Sequence, residues 1–339
     1  MKKIKTIIIV LFLSVLGITS CNEDVLTEIP KDFLSPENSF VKKEHFQSAL
    51  ADIYYDIRKN FYFEGKPVWY SDKNLEFGAD VDLWAFYNAR TQVLSIFNWR
   101  ELNPDNSWVT ASWNQFYRMI FKTNTIIGRA EMDLVKWDSE QEKNAIIAEA
   151  KFLRAFFYTQ LANMWGGVPL VLEETASPKF DYTRVSQAEV YNQCVEDLLF
   201  ATNNMNTVDM QKGGMAPRAA AYHQLAQVYI QLEKYQEAIN AATQVIDNPN
   251  YQLMTERFGK YTDFTFNGYD YQGEQEPWGD LYFDLFGDGN FNRTDGNMEC
   301  IWNMQMEFDQ RGGDGELLME YIWGGPFMSR VRDINGVAN

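Results

Sequence analysis

The sequence is poor in the residues that metal sites and disulfide frameworks use. Its 339 residues contain two His and three Cys, namely Cys21, Cys194 and Cys300. Structural zinc sites draw most of their ligands from His and Cys, and disulfide-stapled folds need an even set of cysteines. The sequence also lacks a phosphate-binding loop and a nucleophile motif. We therefore expect a protein that is not an enzyme and that needs no metal and no cofactor.

Positive charge is scarce as well. Lys and Arg total 30 against 47 Asp and Glu, which gives a formal net charge of −17. Nucleic-acid binding requires clustered Lys and Arg that neutralise phosphates. The charge balance argues against a nucleic-acid partner and against electrostatic attraction to an anionic membrane surface.

Aromatic residues, in contrast, are abundant. The chain contains 10 Trp, 18 Tyr and 24 Phe, and 46% of its residues are hydrophobic. Disordered chains have few aromatic residues and low hydrophobicity. The sequence is thus that of a folded protein with a substantial core.

The N-terminus has the pattern of an export signal. Lysines at positions 2, 3 and 5 precede an apolar run, Ile7–Ile18, that is too short to span a bilayer as a helix. The residues Ile18–Cys21 resemble a bacterial lipobox, in which the cysteine is lipidated. We expect residues 1–20 to be a lipoprotein signal peptide and Cys21 to be the lipidation site; the alternative is an ordinary signal peptide with a chance cysteine.

Composition divides the rest of the chain in two. From Met254 to Asn339 the sequence contains 13 of the 21 Gly and a single Ala, together with 16 aromatic residues. Ala favours helices, whereas Gly favours turns and loops. We predict an α-helical region at residues 21–253, and a loop-rich, aromatic-rich second lobe with short strands or turns at residues 254–339.

Periodicity predicts individual helices in the first region. Apolar residues at helical spacing predict a long helix, Ala145–Trp165, packed between neighbours, and Gly166-Gly167 supply its stop. Trp113–Gly128 has the pattern of part of a degenerate helical hairpin. Ala219–Asn250 carries bulky and small residues at tetratricopeptide (TPR) spacing. The predicted fold is therefore mainly α, with a TPR-like helical-hairpin scaffold.

Two motifs in this region resemble a known family. The sequence EAKFLRAFFY (Glu149–Tyr158), followed by WGGVPLV (Trp165–Val171), resembles the core signature of SusD/RagB-like lipoproteins. Weaker matches in the same order lie at WNQFY, at residues 184–198, at residues 216–221 and at residues 299–302. Members of this family are usually much longer, so we expect this chain to be a C-terminally truncated copy with an incomplete second lobe.

The resemblance implies a function and a location. It implies a cell-surface glycan-binding lipoprotein that captures oligosaccharides or polysaccharides and delivers them to a SusC-like TonB-dependent transporter. The acidic residues after Cys21 resemble the surface-export signal of Bacteroidetes lipoproteins, which places the protein on the outer membrane through its lipid anchor. Three alternatives stay open: a peptide-binding member of the family, a TPR-like scaffold lipoprotein without a small ligand, and a surface glycosidase.

Sugars stack their C–H faces on aromatic rings and form hydrogen bonds to amides through their hydroxyls. We therefore choose candidate ligand residues among the aromatic and amide side chains. The family often draws ligand contacts from the stretch that contains Trp84 and Asn88. Trp278 and Tyr282, with the neighbouring Phe283, lie in the Gly-rich second half. For each of these rings the alternative is local packing under a loop.

Other polar residues have a simpler structural interpretation. Glu149 and Arg154 stand among large apolar residues and are expected to stabilise the fold, and Cys194 is expected to be a small buried residue. Four residues match positions of a calcium loop, but Arg293 stands where that loop requires Gly. The four are Asp288, Asn290, Asn292 and Glu299.

Overall fold

The structure is a computed structural model that describes residues 39–58, 107–175, 177–207, 213–262, 280–287, 289–290 and 292–303. Within these ranges the chain is mainly helical and contains no β-strand, as predicted for the fold class. The helices are α1 (Lys43–Ile57), α2 (Ser107–Ala130), α3 (Glu140–Trp165), α4 (Gln187–Asn204), α5 (Arg218–Gln231), α6 (Tyr235–Ile246) and α7 (Leu281–Phe286). Two 3-10 turns lie at Gly259–Tyr261 and Arg293–Asp295.

The helices α1 to α6 pack in the order in which the chain makes them. Each helix contacts the next one along the chain, and α3 also contacts α1. Packing between chain neighbours is typical of helical-repeat scaffolds. None of the described helices combines the length and the hydropathy needed to cross a membrane.

The long helix α3 begins earlier than predicted and ends as predicted. Its N-cap is Ser139, whose hydroxyl accepts the backbone N–H of Glu142 at 3.2 Å, so the helix starts before Ala145. It ends at Trp165, where Gly166 has φ of +71° and donates its N–H to Ala162 O at 3.0 Å. A left-handed backbone at this position explains the first glycine of the pair.

Gly167 is needed for a different reason. A Cβ atom added there would lie 2.0 Å from the backbone oxygen of Val185. The chain that leads into α4 therefore passes directly over this glycine, and Val185 donates its N–H to Val168 O at 3.1 Å. The two glycines together end the helix and allow the close approach of the segment that follows.

The core is built around α3. Its apolar residues are buried on several sides, since α2 and α4 both pack against it. This confirms the expectation of a helix packed between neighbours. Cys194 on α4 is 1% exposed, and burial raises the pKa of its thiol to about 12. It is the small buried residue that the sequence predicted.

Two charged residues of α3 are buried with specific partners. Glu149 accepts the hydroxyl of Tyr54 at 2.7 Å. Arg154 donates from Nε and Nη2 to the carboxylate of Asp197, both at 2.7 Å, and from Nη1 to Asn124 Oδ1 at 2.9 Å. These contacts tie α1, α2 and α4 to α3, so the structure assigns Glu149 and Arg154 the structural role expected for them.

The hairpin predicted at Ala219–Asn250 is present as α5 and α6. Three residues, 232–234, connect the two helices, which pack against each other. Leu225, Ala226 and Ala238 are buried as the repeat pattern requires, whereas Ala242 is half-buried. The TPR-like character of this pair stays a prediction.

Candidate functional site

Of the four predicted ligand residues, one lies in the described part of the chain. Trp84, Asn88 and Trp278 lie outside the described residues, as does the predicted lipidation site Cys21. Tyr282 lies on the short helix α7.

Tyr282 forms an exposed aromatic pair with Phe286. The two side chains are 70% and 66% exposed, and their ring centroids lie 5.0 Å apart at an interplanar angle of 58°. Residues four apart on a helix face the same side, which brings the rings together. Sequence reasoning missed Phe286, although its spacing from Tyr282 was an available signal. The pair offers an apolar surface on which the C–H face of a sugar ring can stack.

The neighbouring Phe283 has a different role. Its ring packs edge-on against Tyr261 at a centroid distance of 5.2 Å, and its backbone N–H is accepted by Asp280 Oδ1 at 2.9 Å. Asp280 is the N-cap of α7. Phe283 is therefore a ring that packs locally, which was the alternative given for it. Tyr282 and Phe286 on the same helix are exposed.

A buried polar network holds α7 in place. Asp284 is fully buried, and its carboxylate accepts the Nη2 group of Arg257 at 3.0 Å and the backbone N–H of Phe258 at 3.2 Å. Asn290, also fully buried, donates from Nδ2 to Asp284 O at 3.0 Å and accepts the N–H of Lys260 at 2.8 Å. We call Arg257, Asp284 and Asn290 the Asp284 network. The hydrogen bond to Asp284 and the negative charge of this carboxylate raise the pKa of Arg257.

Two of the four residues that match positions of a calcium loop use their side-chain oxygens for hydrogen bonds within the protein. The side-chain oxygen of Asn290 is taken by Lys260, and Glu299 Oε2 accepts the backbone N–H of Met254 at 3.0 Å. Asp288 lies outside the described residues. These oxygens bind backbone donors and stabilise turns. The described ranges contain no cluster of three or more His, Cys, Asp or Glu side chains that could hold a metal ion.

A second aromatic surface lies between α2 and the segment that follows α3. A cavity of about 420 Å³ is lined there by Trp113, Tyr117, Phe121 and Tyr182, among others. The Tyr117 hydroxyl donates to Pro169 O at 2.8 Å, and burial raises the pKa of this phenol, which therefore stays protonated. The sequence predicted Trp113 and Tyr117 as part of a helical hairpin. It did not predict this cavity, because Pro169 and Tyr182, which also line it, come from a distant part of the chain.

Comparison with known proteins defines the family. The family model described as "Starch-binding associating with outer membrane", a SusD-like family, matches residues 34–230. Because this match covers more than half of the chain, the protein belongs to the SusD-like family.

Curated relatives agree with this assignment. The chain is 26% identical to SusD-like protein P25 of Formosa agariphila over 277 residues, which covers 77% of this chain and 49% of the relative. It is 28% identical to SusD-like protein P38 of the same organism over 300 residues, which covers 86% of this chain and 56% of the relative. The chain thus spans about half the length of the curated relatives it matches.

Solved structures show the same fold. A SusD superfamily protein from Bacteroides vulgatus superposes with a TM-score of 0.53 at 25% identity, over 64% of this chain and 46% of that chain. Surface glycan-binding protein A from Bacteroides fluxus superposes with a TM-score of 0.56 at 19% identity, over 80% of this chain and 52% of that chain. The second likeness concerns the fold alone.

Proposed function

We propose that the protein is a cell-surface glycan-binding lipoprotein that captures oligosaccharides and delivers them to a SusC-like TonB-dependent transporter of the outer membrane. The observation that carries this proposal is membership, over residues 34–230, of a family described as starch-binding and associated with the outer membrane. The protein binds carbohydrate without cleaving it.

The proposed ligand surface includes the aromatic pair. Tyr282 and Phe286 expose flat rings on a helix that the Asp284 network holds in one orientation. Because these rings are already held in place, ligand binding costs little side-chain entropy, and this favours stacking of a sugar ring on them. We propose that Trp84, Asn88 and Trp278 complete the ligand contacts. The formal net charge of −17 favours neutral sugars over anionic ones.

The remaining parts of the proposal concern anchoring and domain organisation. We propose that residues 1–20 are removed, that Cys21 carries the lipid, that residues 21–253 form the helical region and that residues 254–339 begin the second lobe. Labelling of cells with a radioactive fatty acid tests the anchor. The wild-type protein should take up label, and a Cys21→Ala variant should not; equal labelling of both would contradict the lipidation site.

Glycan capture is tested with purified protein that starts after Cys21. Native electrophoresis in gels that contain starch, or other neutral polysaccharides, should retard the protein, and the polysaccharide should show no increase in reducing ends. Release of reducing ends would support the glycosidase instead. Unchanged mobility in every neutral polysaccharide would contradict glycan capture and favour the peptide-binding or scaffold alternative.

Delivery to a transporter is tested by affinity purification from detergent-solubilised outer membranes. A SusC-like transporter should co-purify with the tagged protein in stoichiometric amount. Its absence under conditions that keep the lipoprotein intact would contradict this part of the proposal.

A further inference from the structure

A groove lies between α3, α5 and residues 299–302, and neither ring of the aromatic pair lines it. Its volume is about 620 Å³, within the range of small-molecule sites. Amide side chains from two helices line it: Gln160 and Asn163 come from α3, and Gln224, Gln227 and Gln231 come from α5. Residues three, four and seven positions apart share a helix face, so each helix turns a row of amides into the groove.

These amides retain hydrogen-bonding capacity. Gln160, Gln227 and Gln231 make no side-chain hydrogen bond within the described part of the chain. Gln224 is only 6% exposed; its Nε2 group donates to Thr159 Oγ1 at 3.3 Å, while no described residue donates to its Oε1 atom. That oxygen keeps contact with solvent, so it can accept a hydrogen bond from a donor in the groove. A ligand hydroxyl in the groove would supply that donor.

Aromatic rings form part of the lining of the groove. The indole of Trp302 meets Phe152 and Phe156 edge-on, with centroid distances of 5.6 Å and 6.0 Å. Its Nε1–H donates to Gly214 O at 3.1 Å, which fixes the orientation of the ring. The groove therefore combines a fixed apolar surface with a row of amides.

The charge of the lining selects among ligands. It includes one carboxylate, Glu299, and one imidazole, His223, and it contains neither Lys nor Arg. An anionic sugar would meet the Glu299 carboxylate with no Lys or Arg among the lining residues to offset it. Uncharged amides both donate to and accept from hydroxyl groups.

We propose that this groove is a second saccharide-binding site that takes a neutral sugar unit, with its C–H face toward Trp302 and Phe156 and its hydroxyls toward Gln160, Gln224 and Gln227. The site is separate from the aromatic pair on α7. It would let the protein hold a glycan at two places, which raises the overall affinity through effective concentration.

The test uses maltose as the probe and follows the side-chain amide signals of ¹⁵N-labelled protein by NMR. Signals of Gln160, Gln224 and Gln227, assigned from single variants, should shift and saturate with maltose. Glucuronate should produce at least tenfold weaker binding. The double variant Gln160→Ala/Gln227→Ala should weaken maltose binding at the groove at least tenfold, whereas Gln244→Ala, an exposed glutamine on α6, should leave it unchanged. Groove signals that stay in place at saturating maltose, or that respond equally to glycerol, would overturn the proposal.

The outcome separates this site from the proposed function. If polysaccharide gels retard the wild-type protein but maltose leaves the groove amides unmoved, glycan capture stands and the second site is wrong. If the amides respond to maltose while no polysaccharide retards the protein, the groove stands and the proposed function is wrong. Tyr282→Ala should leave the groove signals unchanged in either case.

Discussion

The helical region α1 to α6 and the described residues of the segment 257–297 are stabilised in different ways. The helical region buries a continuous set of apolar side chains around α3. Within the described residues from 254 onward, Phe258 is the buried apolar side chain, and the other buried side chains there are polar: Asp284, Asn290 and Asn297. One region is held mainly by hydrophobic burial, and the other mainly by directed hydrogen bonds.

The difference matters because the two kinds of stabilisation respond differently to change. Hydrophobic burial is non-directional and is shared among many residues. A hydrogen-bond network depends on each partner, and loss of one leaves the others unsatisfied. The helical region therefore serves as the rigid scaffold, and the Asp284 network controls how the aromatic pair is presented.

The largest effect is expected where a charged pair lies inside the apolar region. Asp197→Ala removes the carboxylate that binds both Nε and Nη2 of Arg154, which is 3% exposed. An unpaired buried charge should lower the free energy of unfolding by about 3–5 kcal/mol. Urea denaturation followed by circular dichroism measures this loss. Asn192→Ala, at an exposed position of the same helix, is the control; a loss below about 1 kcal/mol for Asp197→Ala would contradict the role of the pair.

The next effect concerns backbone packing at the end of α3. Gly167→Ala places a Cβ atom 2.0 Å from Val185 O, so the backbone must shift, at an expected cost of about 1–3 kcal/mol. Gly128→Ala is the matched control, because nothing lies within 4 Å of its added Cβ in α2. That substitution should instead stabilise the protein by about 0.5–1 kcal/mol. Thermal unfolding should show shifts of opposite sign, and equal shifts would contradict the close approach.

Asn290→Ala tests the polar segment. It removes the side-chain bonds to Lys260 N and Asp284 O, so α7 should lose its fixed position while α1 to α6 remain folded. The expected result is faster proteolysis within 257–297 and weaker glycan binding, with nearly unchanged helical circular dichroism. Thr294→Ala, at an exposed position of the same segment, should change none of these. Cooperative unfolding of the whole protein by Asn290→Ala would show that the two regions are not independently stabilised.

Tyr282→Ala has the smallest expected effect and the most specific one. Loss of one stacking ring should weaken glycan binding about tenfold, which corresponds to about 1.4 kcal/mol, without a change in thermal stability. Calorimetry with a polysaccharide fragment that the wild-type protein binds provides the measurement. Tyr235→Ala removes another exposed tyrosine, 60% exposed on α6, and this variant should bind as the wild-type protein does. Identical affinities for all three proteins would remove Tyr282 from the site.

Local signals in the sequence predicted much of the helical region. The glycine pair predicted the end of α3, and helical periodicity predicted that this helix lies between neighbours. The exposed pair was half predicted, since Tyr282 was selected and Phe286 was not. For the burial of α3 and for the exposed pair, spacing along one helix was sufficient information, because side chains three or four residues apart share a face.

By itself, the sequence determined the fold class, the end of α3 and the family, because each depends on composition or on patterns within a few turns of chain. Only the tertiary structure decided which distant groups meet. Arg154 reaches Asp197 across 43 positions in sequence, and Asp284 reaches Arg257 across 27. The amide groove is assembled from α3, α5 and residues 299–302. Spacing along the chain carries no information about such encounters, since they depend on how whole helices pack against one another.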